Sequence, residues 1–108
     1  MASEAPIQNI DQIDIVGKRK DGGVDLVIVA SSPVTASPEH QQLLLDKIQS
    51  YLEQCNSPGF RDEFGYDAKV RILINFSQQP DPVIVELLKR SASWVLDNNA
   101  ELAAKVGH

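Results

Sequence analysis

Little in this chain invites covalent chemistry. Its 108 residues include one Cys, one Met, one Trp and 2 His. A single Cys excludes an intrachain disulfide, and with it a small secreted scaffold held by staples. Cations are the minority, with 10 Lys plus Arg against 15 Asp plus Glu and a net charge of -5. Nucleic-acid binders usually carry the opposite balance, because phosphate contacts need clustered cations. Long apolar runs are missing too. The longest, Leu26 to Ala30, falls far short of the roughly 20 residues that span a bilayer. Met1 to Asn9 holds no Lys or Arg and no apolar stretch, so no signal peptide is expected. There is no internal repeat and no low-complexity segment.

What is present is an average soluble composition, 43% hydrophobic and 23% charged. The expectation is a reduced, cytoplasmic protein with no membrane and no nucleic-acid partner. Residues 1–9 read as a flexible arm, and residues 10–108 as a single α/β domain.

Ile13 and Ile15 alternate with Asp14 and Val16, as in a strand. Lys20-Asp21-Gly22-Gly23 follows, a strong hairpin signal because both central residues of the tight turn need positive φ. The second strand runs from Val24 to about Ala30. With Asp21-Gly22 as a two-residue loop, Ile15 faces Ile28, Val16 faces Val27 and Lys18 faces Asp25. A Gly22-Gly23 loop shifts the pairing by two and keeps the faces.

Ser37-Pro38 opens a helix, since Ser caps free N–H groups and Pro suits the first helical position. Leu44, Ile48, Tyr51, Leu52 and Cys55 form a stripe at helical spacing. Asn56-Ser57-Pro58-Gly59 stops it, and Phe60 to Asp67 reads as a mixed aromatic and acidic loop. Val70, Ile72, Ile74 and Phe76 alternate with Lys69, Arg71, Leu73 and Asn75, giving a third strand. Asp81-Pro82 caps a long second helix marked by Ile84, Leu87, Leu88, Ala92, Val95, Leu102 and Val106. Asp97-Asn98-Asn99 prefer caps to interiors, so the helix can break there. The order is β-β-α-β-α. The expected fold class is α+β, a two-layer α/β sandwich. Both helices cover one face of a three-stranded, mainly antiparallel sheet of order 2-1-3.

The helix Leu43 to Leu52 follows an Asp-Gly hairpin and precedes an alternating strand and a Pro-led helix. In this the chain resembles a family of short bacterial proteins classed as a domain of unknown function, whose members carry a Leu-rich LLLLQEKINxYL helix after a DG hairpin. The resemblance spans roughly residues 10–96. It implies a further strand at the end, whereas Ala100 to Lys105 reads as helix by composition. It implies no activity.

Candidate chemistry is sparse. His40 and Cys55 lie on one helix, about 22 Å apart at 1.5 Å rise per residue, beyond any hydrogen bond. A Cys–His pair would need His108 at the terminus. Cys55 reads as a small buried hydrophobe. His40 has no ligand-type residue one turn on, at Leu43 or Leu44, so no helical metal site is expected. Asp62, Glu63 and Asp67 lack the spacing and glycine of a calcium loop. Gly22-Gly23 opens no helix and so cradles no phosphate. Hence no catalytic constellation, no metal and no cofactor are expected.

One surface remains. With both helices on the Ile15, Ile28 and Ile72 face, the other face carries Val16, Val27, Val29 and Leu73, rimmed by Lys18, Asp14, Lys69 and Arg71. An aromatic-free patch of this kind suits no single-stranded nucleic acid. An apolar patch rimmed by charge marks a contact site. The expectation is a non-enzymatic, self-associating or protein-binding module, a homodimer built on that face or on a free strand edge. The alternative is a small-molecule or peptide-binding module using the open face and the 60–67 loop.

Overall fold

The computed structural model describes residues 13–30 and 34–107. The expected arm at residues 1–9 and the strand-ending Ser31-Ser32-Pro33 lie outside the described residues. In chain order the elements are β1 (Ile15–Lys18), β2 (Val24–Ala30), α1 (Pro38–Cys55), α2 (Pro58–Phe64), β3 (Val70–Phe76), α3 (Pro82–Asp97) and β4 (Ala100–Val106).

The caps act as their sequence predicts. Ser37 Oγ accepts the His40 N–H at 3.2 Å, with Pro38 in the first turn. Asp81 Oδ1 accepts the Val83 N–H at 2.9 Å, with Pro82 next. Each satisfies a donor that a helix start leaves free. The same chemistry occurs once more. Ser57 Oγ accepts the Phe60 N–H at 3.3 Å and Pro58 leads α2. The expected 60–67 loop is thus largely helical, and Phe60 and Phe64 stack at 4.6 Å between centroids, packed against the core.

The sheet differs from expectation. Among the described residues it has four strands in the order β1-β2-β3-β4, antiparallel between β1 and β2 and parallel across β2, β3 and β4. The expected order 2-1-3 fails on length. β1 has 4 residues and could pair only part of β3, whereas the 7-residue β2 and β3 pair along their whole length. The expected helical tail is β4. The helix ends at Asp97, Asn98 caps it, and Asn99 turns the chain with φ 68°. Asn accepts this left-handed conformation better than most residues. Ala100 to Lys105 are good helix formers singly, but the reversal places them beside β3, and the ladder decides.

The hairpin register also needs correction. Ile15 pairs with Val27, Val16 with Leu26 and Lys18 with Val24. The loop holds three residues, Lys20-Asp21-Gly22, closed by Arg19 N–H to Gly23 O at 2.8 Å, with Gly22 at φ 92°. A two-residue loop would pair Ile15 one position further along. One residue of slip sends every β1 side chain to the other face. Val16 and Lys18 therefore share the helix-covered side with Leu26 and Val24, and Lys18 Nζ lies 5.4 Å from the Phe64 ring centroid. Ile15 takes the open side.

The core is one layer between sheet and helices. Val24, Leu26, Ile28, Ala30, Val70, Ile72, Ile74, Phe76 and Ala100 meet Leu44, Ile48, Tyr51, Leu52 and Cys55 of α1 and Ile84 and Val95 of α3. Alternate residues of β2 and β3 are thereby claimed by the core, and the rest are left on the opposite face.

A polar strut ties the start of the described chain to this core. Lys47 is fully buried and its Nζ meets Asp14 Oδ1 at 3.0 Å. Tyr51 OH accepts the Asp14 N–H at 2.8 Å and donates to Val27 O at 2.9 Å. Asp14 Oδ2 accepts the Val29 N–H at 2.9 Å. Buried polar groups in this strut thus find partners, as burial requires.

Candidate functional site

The side of the sheet away from the helices is organised in rows, because paired residues of neighbouring strands share a face. The first row runs Gly17, Asp25, Arg71, Glu101. Arg71 grips Asp25 bidentately, Nε to Oδ1 at 3.0 Å and Nη2 to Oδ2 at 2.8 Å. Arg19 Nε adds a longer contact to Asp25 Oδ1 at 3.5 Å. The Asp25 hydrogen bonds hold the Arg71 guanidinium still further above its ordinary value, with Glu101 and Asp21 adding attraction. Arg71 is therefore committed to neighbours within the chain.

The second row is apolar from edge to edge: Ile15, Val27, Leu73, Ala103. Ile15 is 52% exposed, while Val27, Leu73 and Ala103 are half-buried. The third row holds Val29, Asn75 and Lys105. Asn75 Oδ1 is buried there without a hydrogen-bond partner among the described residues. Lys105 is exposed and makes no ion pair among the described residues.

Of the residues proposed for the interface from sequence, Val27, Val29, Arg71 and Leu73 stand on this face. Lys69 lies just before β3, exposed, with its carbonyl accepting the Val24 N–H at 2.8 Å. Val16 and Lys18 stand on the other side. Sequence reasoning missed Ile15, Ala103, Glu101 and Lys105. The signal for the last three was present: Ala100, Leu102, Ala104 and Val106 alternate with Glu101, Ala103 and Lys105, a period of two inside a helix-forming composition.

The residues weighed for catalysis are apart. Cys55 is fully buried, and burial pushes its thiol above the ordinary value. His40 Nδ1 accepts the Thr35 N–H at 2.9 Å and serves the start of α1. Asp62 accepts the Tyr66 hydroxyl at 2.8 Å. That hydrogen bond raises the Tyr66 phenol above its usual range. Among the described residues no cluster of three or more His, Cys, Asp and Glu could hold a metal ion. Nor, among them, is any helix long and apolar enough to cross a membrane.

A family model described as a family of unknown function, DUF6572, matches residues 5–108. The chain belongs to that family. No curated protein and no solved structure gives a match. The DUF6572 match takes in every described element, from the hairpin through α1, α2 and α3 to β4.

Proposed function

We propose that this DUF6572 protein is a non-enzymatic module that associates with a second copy of itself through the side of its sheet that the described helices leave open. One observation carries the reading. An apolar row crosses the four described strands on the face opposite the described helices, and it runs out at β4, an edge strand with no further strand partner among the described residues. Contiguous apolar surface on a small domain marks a contact site, and an unpaired edge offers backbone groups to a second chain.

The energetics say how the two features share the work. Fully burying an exposed aliphatic side chain yields roughly 1.5–3 kcal/mol, but Val27, Leu73 and Ala103 are already half-buried. The row alone then yields only a few kcal/mol, against an association cost of at least ~4 kcal/mol. Edge hydrogen bonds must supply the remainder. A small-molecule or peptide site on the open face would have to do without Phe60 and Phe64, which pack against the core.

Light scattering over a concentration series tests the proposal. A species of twice the 11.9 kDa chain mass is expected by tens of micromolar. A chain that stays monomeric at hundreds of micromolar overturns it.

A further inference from the structure

We propose that the second copy joins edge to edge, β4 against β4, antiparallel and in one register centred on Ala103. This names the contact within the self-association reading and rests on that reading.

The direction of the free backbone groups follows from one hydrogen bond. Gly107 N–H donates to Phe76 O at 2.9 Å. Backbone polar groups alternate in direction along a strand. Glu101, Ala103 and Lys105 thus turn theirs toward β3. Ala100, Leu102, Ala104 and Val106 turn theirs outward. The edge is 7 residues long, contains no Pro or Gly, and pairs one-to-one with β3 along its length. The opposite edge is blunted: β1 is short, and beyond it the Asp14 carboxylate accepts the Val29 N–H. Proteins commonly guard their edges in this way. Among the described residues β4 is guarded only by the charged side chains of Glu101 and Lys105.

The segment Ala100-Glu101-Leu102-Ala103-Ala104-Lys105-Val106 is complementary to its own reverse. Centring on Ala103 sets Ala100 opposite Val106 of the second copy, Leu102 opposite Ala104, and Ala103 opposite itself. Glu101 then faces Lys105 twice, by the two-fold axis. Both side chains are exposed and stand on the helix-free face.

Neighbouring registers do worse. Shifts that set an outward residue against an inward one break the ladder. Centring on Leu102 or Ala104 leaves Glu101 and Lys105 without opposite charges. Centring on Glu101 or Lys105 puts like charges face to face, which destabilises a sheet.

Two further features fit this register. On the helix side of the edge lies an apolar groove of about 320 Å³, walled by Val85, Leu88 and Ala92 of α3 and by Leu102, Ala104 and Val106. The second copy's edge would lie against it and cover Val106, which is 47% exposed. On the other face, the Ile15, Val27, Leu73, Ala103 row of one copy continues straight into that of the other. The result is one apolar stripe across eight strands.

Charge reversal tests the register. Glu101→Lys or Lys105→Glu alone sets like charges opposite each other at both symmetric positions. Because two symmetric pairs turn from attraction to repulsion, each single variant is expected to weaken the dimer at least about fourfold. Carrying both substitutions on one chain restores opposite charges at unchanged net charge, and is expected to return the dissociation constant to within about threefold of the original. In a Cys55→Ala background, Ala103→Cys is expected to form a disulfide-linked dimer on mild oxidation. A non-hydrogen-bonded antiparallel pair brings Cα atoms to about 4.5 Å, inside disulfide range.

Circular dichroism checks that each variant is folded. Single reversals that leave the dimer unchanged, or a double variant as weak as the singles, overturn this register while self-association stands. A monomeric unmodified chain overturns both.

Discussion

The buried lysine gives the sharpest test of the packing. Lys47 is fully buried and meets Asp14, whose side chain is 21% exposed, at 3.0 Å. At that distance and an effective dielectric near 20, the gross attraction is about 5–6 kcal/mol. Desolvating the ammonium consumes much of this, so the pair adds little over an apolar replacement. Losing one partner is another matter. Breaking a buried pair costs roughly 3–5 kcal/mol when the remaining charge is stranded. Asp14→Ala takes the carboxylate away from the buried Lys47 ammonium and also removes the acceptor of the Val29 N–H. Partial exposure of Asp14 lets water compensate in part, so a loss of about 2–4 kcal/mol is expected. Lys47→Met keeps the length of the side chain and removes the buried charge, and should cost no more than about 1 kcal/mol. The Asp14→Ala/Lys47→Met double variant should then be more stable than Asp14→Ala alone. Urea unfolding followed by the fluorescence of the single tryptophan, Trp94, which packs against the core, reads all four proteins. The reasoning fails if Asp14→Ala lies within about 0.5 kcal/mol of the unmodified protein, or if Lys47→Met is as damaging.

Two further predictions concern placement. Val27→Lys and Leu73→Glu, on the helix-free face, should leave the circular dichroism spectrum native, whereas Leu26→Lys and Ile72→Glu, one residue away and fully buried, should unfold the chain; equal tolerance would show the faces to be misassigned. Cys55 should react with a thiol reagent only at the rate of local or global opening. Because burial raises its thiol above the ordinary value, raising the pH through that value should not switch on rapid reaction. Prompt modification of the native protein would contradict its placement.

Local chemistry was the legible part of this fold. Ser37-Pro38 and Asp81-Pro82 announce helix starts in any context, because a capping oxygen and a first-turn proline act within a few residues. The Leu44 to Cys55 stripe and the Val70 to Phe76 alternation likewise report which side faces the core. Ser57-Pro58 carried the same start signal, but its helix is a short 7 residues and sits where a stop is also encoded. The hairpin turn was visible and its register was not. Asp21 Oδ1 accepts the Gly23 N–H at 2.8 Å and Gly22 alone takes positive φ, which selects a loop of three residues over two. That single residue exchanged Ile15 for Val16 on the open face. β4 was hidden by composition. Ala, Glu, Leu and Lys favour a helix in isolation, and only the reversal at Asn98-Asn99 and the waiting edge of β3 make them a strand. The site suffered accordingly: its central residues Val27, Val29, Leu73 and Arg71 were readable, while Ile15, Glu101, Ala103 and Lys105 depended on register and on tertiary pairing.

Amide hydrogen exchange along β4 tests the central claim most directly. Glu101, Ala103 and Lys105 direct their N–H groups at β3 and should be protected at every concentration. Leu102, Ala104 and Val106 direct theirs outward and should exchange freely in the dilute monomer. Raising the concentration through the dimerisation range is expected to protect these three amides in step with the dimer fraction measured by light scattering. If they exchange equally fast in dilute and concentrated samples while the mass doubles, β4 is not the contact and the account is contradicted.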